Sequence, residues 1–239
     1  MAAVVRGFSM LKVSKYTTGV IQTNVYFAYD TDTMECVIVD PAANAKKIIK
    51  IVEEELKVKP VAILLTHGHF DHMMAAKEVS AHFSVKIYAD ALEADVLGDP
   101  EKNLSQNFGT SVTLEPGEYE TFQDGDVLHF LSRDIRVIGT PGHTHGSVCF
   151  FIQDGMSYQA EGESEPKLYP VLFSGDTMFC ESFGRTDFPT GSEREIVESI
   201  AEKLLVLPPE TTVFPGHEGQ TSIGNEQKYN PAAFIGNMK

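Results

Sequence analysis

Apolar and polar positions along the chain follow two periods. Residues 25–29, 36–39, 61–65 and 85–89 are short apolar runs, the pattern of strands, and 61–65 is apolar throughout, as in a strand covered on both faces. Between them Ile48, Ile51, Val52 and Leu56 recur at helical spacing over 44–56, with Asn44 as the N-cap and Pro60 closing the element. A second helix is predicted over 72–83. This β-α-β-α opening favours a layered α/β fold. Further strands are predicted at 127–131, 135–138, 148–152 and 171–173, with turn residues clustered at 115–117 and 124–126. The polar stretch 154–170 reads as a long exposed hairpin loop. A helix over 193–206, with Ile196, Val197, Ile200, Leu204 and Leu205 on one side, precedes a last strand at 211–214. No repeat and no Pro/Gly/Ser-rich linker interrupts the series, so a single domain over 1–239 is expected.

Composition narrows the function classes. The formal net charge of −15 leaves no basic face for nucleic acid and no electrostatic hold on an anionic membrane. The first ten residues carry one Arg and no sustained apolar run, so no secretory signal is expected, and no run approaches the length of a membrane span. Cys36, Cys149 and Cys180 are too few and too scattered for a disulfide framework or a metal cage; they read as packing residues in a reducing, cytoplasmic setting.

The chemistry concentrates in histidine. Three of the eight His fall within six residues, His67-Gly68-His69-Phe70-Asp71-His72, just after the apolar strand 61–65. Residues two apart in an extended segment share a side, so His67 and His69 can reach one ion, and Asp71 and His72, past the turn, can face a second. Three more strands end in a Gly-bearing turn and a ligand-type side chain: His143 after Pro141-Gly142, Asp176 after Ser174-Gly175, and His217 after Pro215-Gly216. Open α/β sheets place their ligands at such strand ends. Imidazole and carboxylate donors without a thiolate suit Zn, with Fe or Mn as alternatives. His82 and His129, on apolar patterns, read as structural histidines.

With these motifs in this order, and Gly184-Arg185-Thr186-Asp187 between the last two, the chain resembles the metallo-β-lactamase-fold superfamily. Within it, the chain is most similar to the short, single-domain, glyoxalase II-like thioester hydrolases. The resemblance runs from Asn24 to Pro231 and implies an αββα sandwich with a dinuclear metal site at one edge. It implies that His67, His69 and His143 hold one divalent ion, that Asp71, His72 and His217 hold the other, and that Asp176 bridges them. Asp71 and Asp176 are thereby the catalytic carboxylates. Asp40 matches a position that orients a metal-binding His, and Arg185 is a candidate substrate contact. The implied reaction is attack of a metal-bound hydroxide on a small-molecule acyl thioester or ester, such as S-lactoylglutathione.

Persulfide dioxygenases resemble the chain too, and they use one iron held by the equivalents of His67, His143 and Asp176. The Pro215-Gly216-His217-Glu218 ending and the segment 221–226 look more like the short hydrolases, so hydrolysis is the preferred reading. The helical domain with which typical glyoxalase II enzymes contact glutathione is not expected here, which leaves other acyl thioesters open as substrates.

Overall fold

In the computed structural model, residues 10–158 and 167–235 are described. β1 (Leu11–Thr18), β2 (Thr23–Asp30) and β3 (Glu35–Val39) form an antiparallel meander. α1 (Ala45–Lys50) then crosses to β4 (Lys59–Leu64), which pairs in parallel with β3. α2 (Phe70–Met73) and α3 (Ala76–Phe83) lead to β5 (Ile87–Asp90), and α4 (Ala94–Leu97) precedes β6 (Glu120–Phe122); both strands extend the sheet in parallel. The second half is built from β7 (Val127–Phe130), β8 (Arg133–Gly139), β9 (Val148–Tyr158) and β10 (Lys167–Gly175), all antiparallel. After the small ribbon β11 (Met178–Phe179) and β12 (Ser182–Phe183) comes α5 (Glu193–Ser199). β13 (Thr212–Pro215) joins β10 in parallel, β14 (Thr221–Ser222) caps that edge, and α6 (Ile223–Tyr229) and α7 (Pro231–Ile235) follow. The halves meet where Leu11 of β1 pairs with Met156 of β9.

Period-two alternation divides the core into layers. On β3, Cys36 and Ile38 face Ile48, Val52 and Val79 of the helices, whereas Val37 and Val39 face Phe150, Ile152 and Phe173 of the other half. On β9 the neighbours Cys149 and Phe151 turn the opposite way, onto Ile196, Ile200 and Ile223. β2 and β3 thus bury both faces, as do the C-terminal ends of β4 and β10, and helices cover the two outer faces. This is the αββα sandwich that the sequence leads one to expect. Truncating a large side chain in the middle layer, such as Phe150, costs roughly 3–5 kcal/mol.

Several local expectations change. The helix over 44–56 is α1 followed by a π-helical stretch, Ile51–Leu56. The Asn44 side chain caps it by accepting from the Lys47 N–H, on a backbone at φ 61° that Asn tolerates. The helix over 72–83 begins earlier and divides into α2 and α3, because the Ala75 N–H bonds to the Pro41 and Ala42 carbonyls. Much of 154–170 is strand rather than loop, and 159–166 lie outside the described residues, as do the first nine. Cys36 and Cys149 are buried, but Cys180 is exposed. His82 and His129 sit at the surface against Glu53 and Asp134, not in the core. Among the described residues no helix is long and apolar enough to cross a membrane.

Candidate metal centre

The ends of β4, β8, β10 and β13 converge on one edge of the sandwich. Past β4 the chain bends at Thr66 and His67 and enters α2 from His69, an extended cap residue (φ −65°, ψ 142°), so His67 and His69 precede the helix and Asp71 and His72 lie in it. The β10 and β13 ends are locked together by the Gly216 N–H donating to the Gly175 carbonyl at 2.8 Å. Gly216 must be glycine for space: a Cβ there would lie 2.2 Å from Asp176 Oδ1 and 2.7 Å from His72 Cε1.

All seven sequence-predicted ligand residues meet here. His69 Nδ1 lies 3.1 Å from His67 Nε2 and 2.9 Å from His143 Nε2. Beside this trio, Asp71, His72 and His217 form a second, with Asp71 Oδ2 3.5 Å from Nε2 of both rings. Asp176 stands between them. Its Oδ2 is 3.6 Å from His143 Nε2 and 3.3 Å from His217 Nε2, and its Oδ1 is 3.4 Å from His72 Nε2.

The far ring nitrogens are anchored, which fixes the tautomers. His72 Nδ1 donates to Asp40 Oδ2 at 2.9 Å, and His143 Nδ1 donates to the Arg185 carbonyl at 2.8 Å. Thr66 Oγ1 donates to Asp40 Oδ2 at 2.7 Å and so accepts from His67 Nδ1 at 3.1 Å. Each of these three rings therefore aims Nε2 inward, the nitrogen left for a metal once Nδ1 is anchored. The Thr23 hydroxyl donates to Asp71 Oδ2 at 2.6 Å. Neither Thr23 nor the Arg185 carbonyl is legible from sequence, because backbone groups and a lone Thr leave no motif.

The residues fit a pair of cations. His72 Nε2 and Asp176 Oδ1, which face the cluster, are buried without a hydrogen-bond partner, and unpaired buried polar atoms are costly. Burial, then neighbouring rings, push His67 and His69 well below the ordinary histidine value; burial lowers His143 too. Neutral rings are the form that binds metal. Burial also pulls on His72, but Asp71, Asp176 and Asp40 outweigh it and hold the ring well above its usual value. Asp176, despite burial, is held well below the carboxylate range by His72 and His217. Carboxylates that favour a proton among them favour a dication more.

Above the cluster lies a cavity of about 800 Å³. Arg185 is on its wall, with its guanidinium in a bidentate pair with Asp187 at 2.7 Å and stacked 4.0 Å from the Phe188 ring centre. The sequence singled out the side chain; the structure adds that its carbonyl holds His143.

Residues 18–155 match the family model of the metallo-beta-lactamase superfamily, and the chain belongs to that superfamily of metallo-hydrolases. The hydroxyacylglutathione hydrolase GloC of Haemophilus influenzae is 32% identical over 212 residues, which are 88% of this chain and 92% of GloC. Among solved structures, the BLEG-1 B3 metallo-beta-lactamase is similar with a TM-score of 0.80 and 36% identity, covering 92% of this chain and 98% of that one. TTHA1623, solved in a di-iron-bound form, gives a TM-score of 0.73 and 29% identity over 91% of this chain and 98% of its own.

Proposed function

We propose that the protein is a dinuclear metal-dependent hydrolase of small acyl thioesters or related esters, with S-lactoylglutathione as the reference substrate. His67, His69 and His143 would hold one ion, Asp71, His72 and His217 the other, and Asp176 would be shared; Zn suits the donor set first, with Fe or Mn as alternatives. When bound, two dications supply Lewis acidity and lower the pKa of water toward neutrality. Asp71 and Asp176 would accept a hydrogen bond from the attacking water and so orient it.

The observation that carries the reading is what surrounds the cluster. Outside the seven candidate ligands, the titratable side chains among the described cavity-lining residues are Arg185 and Glu218. An amide substrate needs a proton donor for its departing amine. A thiol, with a pKa near 8.5, leaves as thiolate without one. A site rich in metal donors and poor in other acids therefore suits a thioester. The likeness to a hydroxyacylglutathione hydrolase points the same way, and the three free thiols fit a reducing, cytoplasmic setting.

The test is a paired assay on protein of measured metal content: hydrolysis of S-lactoylglutathione and other acyl thioesters, against oxygen uptake with glutathione persulfide. Metal-dependent hydrolysis at two ions per chain is expected. Oxygen uptake with one iron per chain, or no hydrolysis after loading with Zn, Fe or Mn, overturns the reading.

A further inference from the structure

Resting on that hydrolase reading, we infer that the preferred substrate is a thioester of an aromatic or similarly bulky apolar acyl group, on a carrier with little negative charge. Phenylalanine rings flank the metal-binding cluster on both sides. Phe188 lies with its ring centre 5.7 Å from that of His69, and Phe179 lies 6.1 Å from that of His217. Phe70 and Phe108 pair at 4.8 Å above them, and Phe108 remains 52% exposed at the rim. Exposed aromatic surface is costly in water, and a bulky acyl group would cover it.

Charge argues in the same direction. Arg185 is the one Lys or Arg among the described residues that line the cavity. Its guanidinium is already neutralised by Asp187 in bidentate geometry. The two carboxylates of a glutathione moiety would compete for this single, occupied cation, beside Glu218.

The experiment compares phenylacetyl and lactoyl thioesters of N-acetylcysteamine, which share one neutral leaving group, with S-lactoylglutathione alongside, all on metal-loaded protein. The phenylacetyl thioester should exceed the lactoyl one in kcat/KM by about ten- to a hundredfold, as burial of an aromatic group implies, mainly through KM. Phe108→Ala should narrow that ratio severalfold. Lactoyl thioesters cleaved as well as phenylacetyl, or glutathione preferred over the neutral carrier, overturns the inference while the hydrolase reading stands. If no thioester is cleaved, both fall.

A separate observation concerns Glu93, a carboxylate buried to 1% exposure and absent from the metal-binding cluster. Its Oε2 accepts from the Gly68 N–H at 2.6 Å and its Oε1 from the Gly146 N–H at 2.8 Å. Gly68 separates His67 from His69, and Gly146 lies in the loop that carries His143. A Cβ at Gly68 or Gly146 would stand 2.8 or 2.7 Å from the same two oxygens, so both loops close directly on this carboxylate. The geometry points to Glu93 as a positioning residue that sets the spacing of the two loops and so organises the His67–His69–His143 trio. This too rests on the dinuclear reading.

Glutamine keeps the size but has one acceptor for two N–H donors, so Glu93→Gln isolates this function. In titrations with Co(II) followed by absorption and by chelator competition, one of two binding equivalents should weaken by about ten- to a hundredfold. The other should change less than about threefold, and the metal-free circular dichroism should not change. If both equivalents weaken alike, Glu93 acts on the fold as a whole; if neither weakens, it positions nothing. Either result overturns the proposal. Should Glu93→Gln fail to fold, Glu93→Asp, which keeps the charge but cannot span both loops, takes the same test.

Discussion

Asp40 Oδ2 lies 2.9 Å from Nδ1 of His72, and the same carboxylate accepts from both the backbone N–H and the hydroxyl of Thr66. Asp40 adopts φ 49°, a left-handed conformation that Asp and Asn enter readily and β-branched residues do not. One side chain thereby ends β3, ties it to the end of β4, and turns His72 so that Nε2 faces Asp71 and Asp176.

Asp40→Asn tests that tie without disturbing the backbone. An amide N–H facing His72 Nδ1 would drive the ring's proton to Nε2, the wrong tautomer for a ligand. Metal affinity should fall by about ten- to a hundredfold, with the metal-free fold retained. Isothermal titration of the apo protein with Zn measures it.

Gly216→Ala would place a methyl group where Asp176 and His72 now approach. Displacing the carboxylate of Asp176, proposed to be shared by the two ions, by even an ångström should lower kcat/KM by about a hundredfold. A variant with intact circular dichroism and unimpaired hydrolysis would show that the shared-carboxylate geometry is not needed.

Removing metal should stabilise nothing and cost much. Extraction with a chelator should abolish hydrolysis, and re-addition should restore it. Thermal unfolding should shift downward, since an ion present at a hundred times its Kd contributes about 2.7 kcal/mol. Calorimetry with and without chelator reads the difference.

A pH effect on stability is expected far from the centre, where Arg133 Nη1 meets the fully buried carboxylate of Asp30 at 2.5 Å. Burial raises the Asp30 pKa, but the Thr33 and Asp32 N–H groups and Arg133 outweigh it, so the folded value lies below the unfolded one. The ionised carboxylate therefore contributes stability that is fully present above the unfolded value, about 3.9, and is lost as pH falls through the lower folded value. Asp30→Asn, which removes the negative charge facing the Arg133 guanidinium, should cost roughly 3 kcal/mol at pH 7. The gap in denaturation midpoint between variant and wild type should close below about pH 4.

What the sequence revealed follows from how local each signal is. The trios were legible because strand ends followed by Gly and a ligand-type residue carry their geometry with them, as at His143, Asp176 and His217. The paired layers were legible because the run 61–65 is apolar on both faces. Thr23 and Glu93 were not, since each acts on residues that are distant in sequence. Hydrophobic periodicity also misled. His129 lies between Leu128 and Phe130 on the solvent-facing strand β7, where such alternation need not mean burial. α2 and α3 read as one helix because the carbonyls that divide them, from Pro41 and Ala42, belong to another segment.

The two trios and Asp176 draw on strands from both halves of the sandwich: His67 to His72 follow β4 in the first, whereas His143, Asp176 and His217 follow β8, β10 and β13 in the second. During synthesis from the N-terminus, the donor set thus stays open until the end of β13 emerges and docks on β10. Before that point the second ion would lack His217, whereas His67, His69, His143 and Asp176 for the first have already been made. Capture of two ions by the proposed set would then come late in biogenesis, open only to a chain whose two halves have closed on each other.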